Sequence, residues 1–317
     1  RTPISIPHTT AASEFLYGTS ATRAALIARR RKLYKLYLHR RGIKDGEAGA
    51  DIKSLGSRAG VDIKLVDDEY LPVMDKMSDG RPHNGCVLET SPLPRLPIQS
   101  LGRALLETSE FQVALTHQSA EEKAVNGTDT AVPYSSQGWR YPFVLLLDGI
   151  VDPGNMGAIL RTAYYLGVDA VAISKRTSAP LSPVALKAAA GAAEAVRLFS
   201  VDSPSAFVHN SKQYGWKVWA AIAPVSSLRR SEPRTSSRQV TNISTSSLKR
   251  RQSPLVHHPC LLMLGGEGAG LIGPLQKAAD NNVYIEPRKS GPDVGVDSLN
   301  VSVAAGLLCD TFLRKPR

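Results

Sequence analysis

The stretch FVLLLDGIVDPGNMGAILRTAYYL, residues 143–166, decides the architecture. Its first five residues are apolar without a break, the pattern of a strand covered on both faces in a parallel sheet. Asp152, Pro153 and Gly154 suit a tight turn, and from Met156 to Leu166 apolar residues recur at helical spacing. The unit then repeats. Strands are expected at Val171 to Ile173, Val196 to Phe199, Trp216 to Ile222, Cys260 to Leu264 and Val283 to Ile285. Helices are expected at Pro183 to Ala193, Pro204 to Tyr214, a segment ending near Asp280, and Leu299 to Phe312. This alternation predicts an α/β domain with a mostly parallel sheet over residues 142–317.

Upstream, a smaller α/β domain is predicted over residues 14–90. It holds a helix from Ser20 to Lys32, strand Leu33 to Leu38, helix Ile52 to Ala59, strand Val61 to Val66, helix Leu71 to Met77 and the strand GCVLE from Gly85. Residues 91–141 turn to Pro, Ser, Gln, Thr and Gly with little sustained period and read as a linker, with room for one helix at Leu101 to Phe111. Residues 224–259 interrupt the second domain with a Ser/Thr-rich, basic tract whose single acid is Glu232, and read as a disordered insertion. Residues 1–13 read as a disordered tail. Their opening, RTPISIPHTTAAS, is similar to the remnant of an organelle transit peptide, with a frayed terminus as the other reading; a mitochondrial location is expected, with the cytoplasm as the alternative.

With 39 Lys and Arg against 28 Asp and Glu, the 317 residues carry a formal charge of +11, a field that draws polyanions and above all nucleic acid. Cys86, Cys260 and Cys309 are odd in number, far apart and free of C-x-x-C spacing, so neither a disulfide framework nor a zinc knuckle is indicated. No metal is expected. No run approaches the roughly 18 apolar residues of a membrane span, so no membrane partner is expected either.

Three motifs carry chemistry. LDGIVDPGNMGAILRTA (147–163) runs from a strand end into a helix, where ligands of parallel sheets collect. There Asn155 is a candidate helix cap and Arg161 a permanently charged donor near the same cleft. LLMLGGEGAGL (261–271) offers bare backbone to a ligand at four glycines, yet it lacks the G-x-G-x-x-G spacing and has no Lys-Ser or Lys-Thr after Gly270, which disfavours dinucleotides and nucleoside triphosphates. VDSLNVSVAAGLL (296–308) starts a helix with Ser298 as candidate cap and places polar Ser298, Asn300 and Ser302 in an apolar segment where they need partners.

In this order, DPGNMGAILRTA, LGGEGAGL and VDSLNVSVAAG resemble the three motifs of the SpoU/TrmH branch of the SPOUT methyltransferases, across about Phe143 to Phe312. YGTSA at Tyr17 and HNGCVLE near residue 85 look like the L30e-like RNA substrate-binding domain of several members. The resemblance implies a trefoil-knotted domain, S-adenosyl-L-methionine as cofactor, a homodimer with shared active sites, and transfer of methyl to a ribose 2′-oxygen. By motif position it implies cofactor contacts at Gly265, Gly266, Gly268, Gly270, Ile285 and Leu299. It implies a catalytic and RNA-facing set of Asn155, Arg161, Glu267, Ser298 and Asn300. The long loop IEPRKSGPDVGVDSLN resembles that of mitochondrial large-subunit rRNA enzymes, which favours a guanosine of that RNA, and it leaves open the contact at Ile285. A tRNA ribose methyltransferase and a non-catalytic RNA-binding ribosome-assembly factor remain alternatives.

The basic residues Arg23, Arg29, Arg30, Arg31, Lys32, Lys35, Arg40, Arg41 and Lys44, with Tyr34 and Tyr37 among them, are read either as phosphate contacts with base stacking or as a solvated face.

Overall fold

The computed structural model describes residues 5–41, 47–224, 240–266, 270–288 and 294–316. Its first unit is a four-stranded sheet in the order β1-β4-β2-β3, with β1 (Glu14–Tyr17), β2 (Leu33–His39), β3 (Asp62–Val66) and β4 (Cys86–Thr90). Helices α1 (Thr19–Ala28), α2 (Glu47–Ala59) and α3 (Leu71–Met77) complete it. Helix α1 stops four residues before Lys32, because Arg29 turns left-handed at φ 50° and its N–H closes on the Ala25 carbonyl.

The second sheet has ten strands, and its central strand β8 (Phe143–Asp148) is fully buried as its unbroken apolar run requires. β8 lies between β13 (Cys260–Gly265) and β9 (Ala170–Ser174), both parallel to it. Beyond β9 comes β10 (Leu198–Val201), and beyond β13 come β11 (Lys217–Ala221) and β14 (Asn281–Tyr284), all parallel to their neighbours. The helices of this unit include α5 (Pro153–Leu166), α6 (Pro183–Ala188), α7 (Pro204–Lys212), α9 (Gly273–Ala278) and α10 (Val301–Leu313). The expected helix from Pro183 to Ala193 is split: α6 ends at Ala188 and a separate 3-10 turn covers Ala192–Glu194.

Two segments depart from the sequence reading. Residues 91–141 are not a linker: β5 (Leu96–Leu105) joins the large sheet parallel to β10, and β6 (Glu110–Leu115) and β7 (Ala131–Pro133) extend it antiparallel, with α4 (Ala120–Asn126) between them. Irregular register between Ile98 and Ser100 and between Leu101 and Ala104 spoils the alternation a regular strand would show, which hides β5 in the sequence. The hairpin is integral to the core: Leu101 and Phe111 are wholly buried, Phe111 meets Trp216 edge-on at 5.4 Å, and the Trp216 indole donates to the Gly102 carbonyl at 2.7 Å.

Part of the expected disordered insertion is also built. β12 (Thr241–Ser244) pairs parallel with β14, and α8 (Thr245–Arg250) follows, its first turn capped by the Ser244 hydroxyl at 3.1 Å from the Ser247 N–H. Residues 225–239 of that stretch lie outside the described residues, as do Lys44, Glu267 and Gly268. One apolar cluster runs through both units, joining Leu16, Leu26 and Leu36 of the first to Leu186, Ala189 and Phe143 of the second.

Candidate active site

Strands β11, β13 and β14 end side by side, and the chain leaving each of them lines a single cavity of about 900 Å³. Its walls include Ile222 and Pro224 after β11, Gly265, Gly266 and Gly270 after β13, and Ile285 after β14. The remaining wall is the entry to α10: Ser298, Leu299, Asn300, Ala304, Leu307 and Leu308. The second and third motifs thus meet at the carboxyl ends of parallel strands, where such sheets bind ligands.

The glycines are there because no side chain fits. A Cβ on Gly265 would stand 2.3 Å from both the Gly270 carbonyl carbon and the Leu271 nitrogen, and one on Gly266 would stand 2.1 Å from the Gly149 carbonyl oxygen. The turn closes on itself through the Gly270 N–H and the Gly266 carbonyl, 3.1 Å apart, and leaves backbone as cavity surface.

The asparagines are placed by capping, though not as the sequence suggested. Asp152, not Asn155, caps α5: its Oδ1 accepts the Asn155 N–H at 2.6 Å. Asn300, not Ser298, caps α10, with its Oδ1 accepting the Ser302 N–H at 2.9 Å and the Ser302 hydroxyl at 2.6 Å. Freed from capping, the Asn155 Oδ1 accepts from Asn300 Nδ2 at 3.1 Å, which ties the first motif to the third. Ser298 lines the cavity instead.

Arg161 does not join this group within one chain. It is exposed and absent from the cavity lining. Six residues advance a helix by about 600°, so Arg161 points roughly 120° away from Asn155 around α5.

Sequence reasoning missed several residues that shape the site. Asp148, 2% exposed at the end of β8, accepts from the Thr177 hydroxyl. Ser178 donates to the Leu147 carbonyl and accepts the Ile150 N–H, both at 3.3 Å, and the Ala179 N–H donates to the Ile150 carbonyl at 2.7 Å. The loop leading into α5 is therefore stapled to the loop after β9. On the opposite wall Thr245, Ser246 and Lys249 of α8 line the cavity. The Ser246 and Ser244 hydroxyls hold the carboxyl of Glu286, which also lines the cavity, below its usual range. A serine cap ahead of SLKR was the available signal, masked by the low complexity around it.

Part of the basic tract is paired within the chain, most of it at the surface. Arg31 is buried against Glu194 at 2.8 Å; Arg23, Lys35, Arg40 and Arg41 pair with Asp51, Asp62, Asp67 and Asp68. Tyr37 is 1% exposed and stacks on Tyr70 at 5.8 Å, so it is closed to a base. Among the described residues, no group of three or more His, Cys, Asp or Glu is placed to hold a metal, and no helix is long and apolar enough to cross a membrane.

Comparison with known proteins agrees with this geometry. Residues 142–310 match the model of the SpoU rRNA Methylase family, and residues 15–96 match the model for RNA 2'-O ribose methyltransferase substrate binding. The chain is 34% identical to "rRNA methyltransferase 1, mitochondrial" of Homo sapiens, over 93% of this chain and 71% of that protein. It is 28% identical to "23S rRNA (guanosine-2'-O-)-methyltransferase RlmB" of Photorhabdus laumondii, over 93% of this chain and 95% of the relative. In fold it is similar to an AdoMet-bound rRNA methyltransferase from Sinorhizobium meliloti, with a TM-score of 0.60 at 17% identity, covering 95% of this chain and 86% of that one. With the family model spanning more than half its length and the second and third motifs lining one cavity, the chain belongs to the SpoU rRNA methylase family.

Proposed function

We propose that this protein transfers a methyl group from S-adenosyl-L-methionine to the 2′-oxygen of a guanosine ribose in mitochondrial large-subunit rRNA. One observation carries the reading: the glycine turn, the segment after β14 and the Ser298 to Asn300 helix entry line one cavity, and Asn300 bridges from it to Asn155.

The cavity suits that cofactor. Its walls are bare backbone at Gly265 and Gly266 and apolar side chains at Leu264, Val283, Leu299 and Leu308, while its charged residues Lys249, Glu286, Arg288 and Asp297 are all exposed. When bound, S-adenosylmethionine supplies an electrophilic methyl whose cationic charge fades as the methyl leaves, so a buried carboxylate beside it would favour the ground state. The backbone of residues 265–266, Ile285 and Leu299 would hold it. Glu267 would orient the glycine turn or an RNA hydroxyl rather than pair with the sulfonium.

The acceptor hydroxyl becomes a nucleophile only as its proton leaves, to an RNA phosphate oxygen or to water, and charge grows on oxygen. Ser298 and Asn300 in the cavity wall, with Asn155 hydrogen-bonded to Asn300 behind it, would serve as neutral donors and acceptors for that oxygen. Arg161 would supply a fixed positive fork for RNA phosphate and the reacting oxygen, since a guanidinium holds its proton too firmly to serve as base. Because Arg161 points away from Asn155 in its own chain, this reading calls for a homodimer that brings it to the partner's cavity. Exposed Tyr164, Tyr165, Val303 and Leu307 on α5 and α10 support such an apolar pairing face. The reading includes the knot that the resemblance implies.

Transfer of labelled methyl to fragments of mitochondrial large-subunit rRNA, followed by mapping of the alkali-resistant linkage, tests the reading. Labelling of tRNA instead, or cofactor binding without transfer to any RNA, would overturn it. Arg161→Lys is expected to lower kcat about 10-fold or more through loss of the forked geometry; near-normal turnover would remove the guanidinium from the mechanism.

A further inference from the structure

The joint between the two units is built from buried charge. Arg31, with no side-chain exposure, places Nε and Nη2 on the two carboxylate oxygens of Glu194 at 3.0 and 2.8 Å, and Glu194 is itself 2% exposed. The third nitrogen, Nη1, reaches Glu14 at 3.0 Å and the Ser91 carbonyl at 3.2 Å. Neighbouring Arg30 donates to the carbonyls of Glu194 and Val196. Beside this network Gly191, at φ 91°, lies so close to α1 that a Cβ would stand 2.5 Å from the Ala24 Cβ and 2.9 Å from the Ser20 carbonyl oxygen.

The same segment reaches the active site from its other side. On α5, a Cβ at Gly157 would stand 2.2 Å from the Ala185 carbonyl oxygen and 2.6 Å from the Ala188 Cβ, so α6 lies directly against the helix that carries Asn155 and Arg161. Helix α1, the α6 segment and α5 form three layers in direct contact, with no room for a side chain at Gly191 or Gly157. A bidentate arginine–carboxylate pair is fixed in direction as well as distance, and interiors packed this tightly transmit displacement rather than absorb it.

We propose that Arg31 and Glu194 are positioning residues that lock the first unit to the α5 face. RNA held by the first unit then meets the methylation site at one fixed span, and only RNAs whose docking element and target ribose match that span are substrates. The proposal rests on the methyltransferase reading and adds the means of substrate choice. A chain with two loosely tethered units would accept a range of spans.

The test uses the full chain with spin labels at Ser54→Cys on α2 and Ala206→Cys on α7, both exposed, while the three native cysteines are buried. Distances are measured by double electron–electron resonance. The parent is expected to give one narrow distance. Glu194→Gln, which weakens the pair, and Gly191→Ala, which wedges the joint without touching charge, should each broaden it with circular dichroism unchanged. Each should also lower kcat on a long rRNA fragment at least 10-fold, with KM for the cofactor unmoved. A distance that stays narrow in both variants overturns the lock, as does a broadened distance with undiminished kcat. A parent chain that transfers no methyl would instead sink the methyltransferase reading, and the distances alone would then decide the lock.

Discussion

At the mouth of β13 the chain makes room by leaving side chains out, whereas at its buried joints it spends charge. Gly265 and Gly266 let backbone touch backbone, so that site is vulnerable to any added atom. Arg31 with Glu194, and Arg140 with Asp169, are buried ion pairs, so those sites are vulnerable to any atom removed. The difference separates the consequences of mutation: additions at the cavity should spoil chemistry more than fold, and deletions at the joints should spoil fold or geometry first.

The largest effect on stability is expected at Asp169. Its carboxylate takes Arg140 Nη1 and Nη2 at 2.6 and 3.0 Å and also accepts the N–H groups of Phe143 and Ser135. Asp169→Ala leaves the buried guanidinium without its counter-charge, at a cost of about 3–5 kcal/mol. A drop in the urea midpoint measures this; a loss under 1 kcal/mol would mean that the guanidinium finds water.

Next comes Gly266→Val. Its Cβ must displace the Gly149 carbonyl, which belongs to the loop entering α5, so the cavity floor and Asn155 shift together. A shift of about 1 Å in a positioned group costs on the order of 100-fold in rate. We expect methyl transfer to fall by that factor, and the thermal midpoint to fall by less than in Asp169→Ala, since backbone must yield locally. Equal loss in both would erase the contrast between cavity and joint.

Asn300→Ala sits between the two regimes, because Asn300 both caps α10 and holds Asn155. Loss of the cap costs about 1 kcal/mol. Asn300→Asp keeps the capping oxygen and removes the donor to Asn155, so it should restore the melting temperature without restoring activity. Recovery of both would show that the Asn155 contact is idle.

The sequence made the parallel strands legible wherever an unbroken apolar run met a helical period, as at Phe143 to Leu166, and the glycine turn legible by its excess of glycine. It concealed β5 because register shifts break the alternation, and α8 because a serine cap looks like low complexity among serines. Asn155 stood out as a candidate cap and Asn300 as a polar residue in an apolar segment, but which residue caps each helix depends on backbone angles that composition does not encode. Arg31 read as one more cation in a basic run. Only its partner 163 residues away, Glu194, distinguishes a buried lock from a solvated face.

The smallest expected effect concerns the cysteines, and it sharpens the contrast at the level of the core. Burial pushes the Cys86 thiol up to about 11 and the Cys309 thiol up to about 12, and it raises Cys260 as well, because a thiolate in apolar surroundings lacks solvation. These thiols sit in the core away from both the cavity lining and the charged joint, so alkylating reagents at pH 7.5 should leave methyl transfer unchanged. The sign of the linkage is fixed by the shift. A folded value above the unfolded one gives stability that is complete below the ordinary thiol value near 9.0 and is lost as pH rises through 11 to 12. Alkylation should therefore stay slow until the chain begins to unfold above about pH 9. Rapid labelling of any of the three at pH 7.5 would mean that the core opens on its own, and the rigid relay from Arg31 to Asn155 would lose its footing.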